Sequence, residues 1–317
     1  MPVREEPWIE RLAETPAAAH LPAATGLEPY RLAHRALPGR DLAEVGLAAP
    51  LLGAVLAAPI VIVAPPGGTG IGRLARAATE HGLGLIVRGG ERLLDGDGGA
   101  IARYRTPDRP RLLLAAIGVE QLLDGDGPAR AERLAGMLDA DGVALELDVV
   151  GAALRPGGDP RARRIEAVVA AVAQRLAPLP VVVRETGSGM DGADARALQA
   201  AGAAAVDVGG ARPDAGAGAF AGWGVPPADA IAEAVLLAPG LPVLAGGPVA
   251  DGVAIATCLA LGAQAACVSR PIADLAPDAA GAVAAALVHQ LRVAVWATGA
   301  PAATALHRGH LRVAGST

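Results

Sequence analysis

Pro59-Ile-Val-Ile-Val-Ala-Pro65-Pro66-Gly67-Gly68-Thr69-Gly70, running on into Ile71-Gly-Arg-Leu-Ala-Arg-Ala-Ala-Thr-Glu-His81, decides the fold. A β-branched run comes first, then a proline- and glycine-rich loop, then an alanine-rich stretch with helical periodicity. The run is continuously apolar instead of alternating, which suits a parallel strand buried on both faces. The same order repeats outward from it. Strands are predicted at Pro59–Pro65, Leu83–Val87, Arg111–Ile117, Val143–Val149, Pro180–Glu185, Ala204–Val208, Pro242–Gly246 and Ala265–Ser269. Helices are predicted at Ile71–His81, Ala129–Leu138, Arg161–Leu176, Ala193–Ala201, Ala228–Leu237, Gly252–Leu261 and Ala279–Ala297. Between the second and third strands, Asp95-Gly-Asp-Gly-Gly99 reads as loop. Eight successive β/α units over about 250 residues match a (β/α)₈ TIM barrel of the α/β class. A doubly wound sheet would need a switch point, and none is visible. Residues 1–58 are predicted to be an N-terminal extension packed on a barrel formed by residues 59–317.

Composition narrows the function. The chain has no lysine and no asparagine, so all 27 basic residues are arginine. Without lysine there is no Schiff-base chemistry. A net charge of −5 argues against a nucleic-acid surface. Two cysteines exclude a disulfide scaffold and suit a reducing, cytoplasmic setting. The longest apolar stretches are cut by Pro and Gly and fall short of a bilayer core of about 30 Å. No secretory leader, Walker loop, zinc motif or Gly-x-Ser-x-Gly is found.

Barrel chemistry sits at the C-terminal strand ends, with phosphate commonly held after the last two strands. Gly246-Gly247-Pro248 and Ser269-Arg270-Pro271 fall there, offering backbone N–H groups beside an arginine. Pro65-Pro66-Gly67 after the first strand can turn the chain or lie against a flat ring. Glu146 and Asp148, spaced i, i+2, would share one strand face near the mouth. Held close, one could keep a proton and act as general acid. They could instead hold Mg²⁺, or one could be structural and bonded to Arg184. Glu185 and Asp207 lie on other strand ends. Arg155 could reach a diphosphate, and Trp8 or Trp223 could shield a carbocation. The histidines show no metal spacing, and Cys258 and Cys267 read as buried.

Several segments carry a family resemblance: Arg31-Leu-Ala-His-Arg-Ala-Leu-Pro38, Leu114-Ala-Ala-Ile-Gly118, Val183-Arg-Glu-Thr-Gly-Ser-Gly-Met190, Ala201-Gly-Ala-Ala-Ala-Val-Asp207, Trp223-Gly-Val-Pro226, Gly246-Gly247, Ser269-Arg-Pro271 and Leu291-Arg-Val-Ala-Val-Trp-Ala-Thr-Gly299. In this order the chain resembles the type 2, FMN-dependent isopentenyl-diphosphate isomerases over nearly its whole length. The resemblance implies a homo-oligomeric barrel using reduced FMN and Mg²⁺ to move a proton at the C=C bond of a prenyl diphosphate. It implies FMN contacts from Pro65, Pro66, Gly67, Arg184, Gly246, Gly247, Ser269 and Arg270. Substrate contacts fall to Arg4, Trp8, Arg155 and Trp223, and proton handling to Glu146 or Asp148. No metal ligand is assigned.

The chain also departs from that pattern. Where the family has His-x-Asn-x-x-Gln-Glu after the fourth strand, it reads Glu146-Leu-Asp148-Val-Val-Gly151-Ala152, without the substrate-contacting Gln and the metal-binding Glu. Small residues there would enlarge the pocket, so a repurposed relative, such as a protonation-initiated cyclase on a longer prenyl chain, is the alternative. A degenerate, non-catalytic flavin- or phosphate-binding barrel is another. The family's Arg-Lys clamp becomes Arg4-Glu5-Glu6, its loop threonine Pro66, its third-strand asparagine Ala116 and its flavin-facing lysine Arg184. The Gly-Gly-Thr after the sixth strand becomes Arg212-Pro-Asp214. A 2-hydroxy-acid oxidase would need a histidine beside Arg212, and none is there.

Overall fold

The structure is a computed structural model that describes residues 25–66, 70–96, 109–155, 161–209, 220, 223–247, 249–269 and 279–313. Three short strands precede the barrel: β1 (Tyr30–Leu32), β2 (Ala49–Leu51) and β3 (Ala54–Leu56). Eight more then close on one another: β4 (Ile60–Val63), β5 (Gly84–Val87), β6 (Leu112–Gly118), β7 (Gly142–Leu147), β8 (Val181–Glu185), β9 (Ala205–Asp207), β10 (Val243–Ala245) and β11 (Ala265–Val268). All neighbours run parallel in chain order, and β11 returns to β4 with Ala266 opposite Ile60. The fold is the (β/α)₈ barrel predicted.

Side chains alternate along each strand between two buried environments, as strand geometry requires. Val61, Val63, Ile86, Leu114, Ala116, Ala144, Val182, Ala205, Leu244 and Cys267 fill the barrel interior. Ile60, Ile62, Leu85, Ile117, Val143, Leu145, Val183 and Val206 face the helices. The described helices are α1 (Ile71–Glu80), α2 (Gly90–Leu94), α3 (Gly127–Leu138), α4 (Val149–Leu154), α5 (Ile165–Leu176), α6 (Gly192–Ala200), α7 (Pro227–Leu237), α8 (Gly252–Leu261) and α9 (Ala280–Ala297). By length and composition α9 could cross a membrane, but here it packs against α8 and α1 as the last barrel helix.

The β2–β3 hairpin plugs the N-terminal end of the barrel, with Leu51 and Leu56 joining the interior cluster. Leu52 and Gly53 turn it at φ +50° and +83°, the paired left-handed geometry of a two-residue hairpin loop. β1 pairs antiparallel with β12 (Leu311–Val313), so residues 25–58 are tied to the far end of the chain. Trp296 Nε1 donates to the Arg40 carbonyl at 2.8 Å and Arg292 Nη1 to that of Val45, fastening the segment to α9. With the N-terminal end plugged, the open end of the barrel is the C-terminal one.

Candidate active site

At that open end the interior face changes from apolar to charged. Register sets Glu146 of β7 opposite Arg184 of β8, and Arg184 opposite Asp207 of β9. One guanidinium bridges both: Arg184 Nε donates to Asp207 Oδ2 and Nη1 to Glu146 Oε1, each at 2.8 Å. Arg88, just past the end of β5 and two residues beyond inward-facing Ile86, sends Nε to the same Glu146 oxygen at 2.7 Å. Two arginines and two carboxylates thus form one network across the mouth. Burial by itself lowers the proton affinity of Arg184; the charges of Asp207 and Glu146 outweigh it and raise its pKa. Cys267 lies beneath Asp207, where burial first and that carboxylate second push its thiol well up.

Glu146 and Asp148 do not share one strand face. β7 ends at Leu147, and Asp148 leaves the strand at φ −156°, ψ 66° to cap α4, accepting from the Gly151 N–H at 2.9 Å. Residues at i and i+2 share a face only while both lie in the strand. Asp148 also has Arg155 Nη1 at 3.7 Å. The extra room expected at Gly151 is absent as well, because a Cβ there would collide with the Asp148 carboxylate. Asp in place of the family Asn and Gly in place of its Gln are therefore one packing unit. Ala152, next along, is buried in α4.

Arg155 is committed too, with Nη2 donating to Glu120 Oε1 and Oε2 at 3.1 and 2.9 Å. Trp223 is exposed and meets Phe220 edge-to-face at 5.7 Å between centroids. Beside it, the Val225 N–H bonds the Ser188 carbonyl at 2.8 Å, which brings this segment onto the β8–α6 loop. Glu185 points away from the interior and holds that loop, accepting from Gly187 and Gly189 N–H at 2.8 and 2.7 Å. Burial pushes Glu185 up to about 7; the two N–H donors oppose this and the Asp148 charge adds to it. Cys258 is buried in α8 and pushed up to about 12, first by burial.

Of the residues to which the resemblance assigns FMN, Gly246, Gly247 and Ser269 have backbone geometry suited to a phosphate group. Gly246 and Gly247 lie just past the last β10 pair, Ala245 with Ala266, and Ser269 just past β11, so their N–H groups have left the ladder. Gly247 has φ +86°, which only glycine adopts without strain. Gly246 must lack a side chain because the Asp207 carboxylate lies against it. Pro65 and Pro66 stand just past the end of β4, and Arg184 lies at the end of β8, across the barrel from it. Arg4, Trp8, Gly67 and Arg270 lie outside the described residues. Magnesium is not matched in the same way: the position to which the resemblance assigns its carboxylate ligand is Ala152, and no three His, Cys, Asp or Glu side chains gather among the described residues.

Sequence reading missed Arg88. A lone arginine directly after an apolar strand was the available signal, but its partner became visible only through the strand register.

The fold defines a class first. It superposes on a mandelate oxidase carrying a monooxide FMN adduct (TM-score 0.66, 20% identity, 94% of this chain and 92% of that one). It also superposes on an (S)-mandelate dehydrogenase (TM-score 0.67, 16% identity, 91% and 89%). At that identity the likeness is one of fold. No family model matches the chain. Curated proteins named isopentenyl-diphosphate delta-isomerase are closer in sequence. That of Stutzerimonas stutzeri is 33% identical over 93% of each chain, and that of Xanthobacter autotrophicus 36% identical over 89% of this chain and 90% of its own. The chain belongs to the isopentenyl-diphosphate delta-isomerase family.

Proposed function

We propose that this isomerase-family enzyme moves a proton at the C=C bond of a prenyl diphosphate, with FMN held at the barrel mouth. The observation that carries the reading is the Arg88–Glu146–Arg184–Asp207 network. It gathers charged groups from the C-terminal ends of β5, β7, β8 and β9, where barrel enzymes do their chemistry, in a chain of this family. Gly246, Gly247 and Ser269 would hold the phosphate of FMN, and Pro65, Pro66 and Arg184 its ring. When bound, reduced FMN supplies an electron-rich ring that favours positive charge developing on a protonated alkene.

Glu146 is the proton-handling group, since Asp148 is committed to the α4 cap. Arg88 and Arg184 fix one Glu146 oxygen from two sides, so the carboxylate needs no reorientation when the substrate arrives. Trp223, exposed beside the β8–α6 loop, would shield the prenyl chain.

The test is deuterium incorporation from D₂O into prenyl diphosphates of five to twenty carbons, with reduced FMN. Incorporation is expected, falling about 10²–10⁴-fold in Glu146→Gln with circular dichroism unchanged. No incorporation into any chain length refutes the reading.

A further inference from the structure

The departure at the metal position and the arginine network are two sides of one arrangement. Among the described residues, four carboxylates around the mouth already have a cationic or backbone partner. Glu146 has Arg88 and Arg184, Asp207 has Arg184, Asp148 has the Gly151 N–H and Arg155, and Glu120 has Arg155. Mg²⁺ needs carboxylate oxygens free to enter an octahedral shell. Taking them here would strand Arg184, whose side chain is 7% exposed, without a counter-charge. Ala152 offers no oxygen in their place.

The cations differ in how they meet solvent. The Arg184 side chain is 7% exposed, whereas that of Arg88 is 28% exposed while its Nε stays on Glu146. Arg88 therefore stands between the buried network and the open mouth. A guanidinium has five N–H donors in a planar fork that matches phosphate oxygens.

We propose that this protein holds the diphosphate of its substrate by guanidinium groups, with Arg88 the principal contact, and needs no divalent cation to do so. The inference rests on the prenyl-diphosphate reading above and goes beyond it in naming how the anion is held.

Isothermal titration of the FMN-loaded protein with isopentenyl diphosphate and with inorganic pyrophosphate, in EDTA and in excess Mg²⁺, tests it. Affinity in the two buffers should agree within about twofold, and Arg88→Gln should weaken binding in EDTA by about tenfold or more. Arg88→Lys should recover part of that loss, and Arg133→Gln, on the exposed face of α3, should change nothing. Thermal melts confirm that each variant is folded. Binding that is absent in EDTA and restored by Mg²⁺ overturns the inference alone, as does a folded Arg88→Gln with wild-type affinity. No binding in either buffer overturns it together with the prenyl-diphosphate reading.

Discussion

Replacing Arg184 by methionine tests the network most directly. The side chain is 7% exposed and faces Asp207 at 1% and Glu146 at 12%. Methionine fills similar volume but leaves Asp207 as a buried charge without its ion-pair partner. Breaking one side of a buried pair costs about 3–5 kcal/mol, a large part of a usual stability of about 5–15 kcal/mol. Glu146 keeps Arg88 and adds little to the loss. With a urea slope of about 3 kcal/mol/M, the unfolding midpoint should fall by about 1–1.7 M. Adding Asp207→Asn removes the stranded charge but keeps an oxygen for the Gly209 N–H, which Asp207 Oδ1 accepts at 3.3 Å. The double variant should therefore be more stable than Arg184→Met alone by about 1–3 kcal/mol. Urea melts followed by circular dichroism measure both values. A midpoint shift below about 0.3 M for the single variant, or a double variant less stable than the single one, refutes the account of Asp207 as a charge held in place by Arg184.

Two further predictions concern the loops flanking the network. Burial raises Glu185 to about 7 from its usual 4.5, so between these values the native state keeps a proton that the unfolded chain has lost. Stability should fall as pH rises through that window, by about 3 kcal/mol in all. Glu185→Gln should flatten the slope in pH-dependent urea melts, and an unchanged slope refutes the assignment. Gly151→Gln, which restores the family residue type, should destabilise the protein by about 1 kcal/mol through loss of the Asp148 cap, despite the better helix propensity of glutamine. In an Asp148→Ala background the same change should stabilise, and melting temperatures that fall in both backgrounds refute the coupling.

The eight barrel strands were legible because a parallel strand buried on both faces writes itself as a continuous apolar run. That signal is local. The two helices the sequence did not show, Gly90–Leu94 and Val149–Leu154, are too short to display a 3.6-residue period. Asp148 and Val149 read as strand, yet Asp148 turns the chain and caps α4. The mouth network was legible only in part. Glu146, Arg184 and Asp207 stood out as charges at the ends of apolar runs, but which of them meet depends on register. Arg88 meets Glu146 across 58 positions of sequence, a relation no local pattern encodes.

The arginine-only composition also bears on how the mouth is built. Glu146 and Asp207 flank Arg184 in register on opposite sides, and strands lie about 4.8 Å apart, so their Cα atoms are roughly two strand spacings from one another. A planar guanidinium reaches both at once because Nε and Nη1 donate in different directions. A lysine ammonium is a compact charge at the end of a flexible stem, and it does not impose such a bridge. Arginine at the family's lysine position therefore draws the acidic groups on either side into charge pairing. Once Glu146 and Asp207 are engaged in this way, a carboxylate at position 152 would have few neighbours with which to build a metal site. The change at Arg184 and the small residue at Ala152 are mutually consistent on this view: where the resemblance implies a metal-bound carboxylate, the described mouth carries arginine–carboxylate pairs.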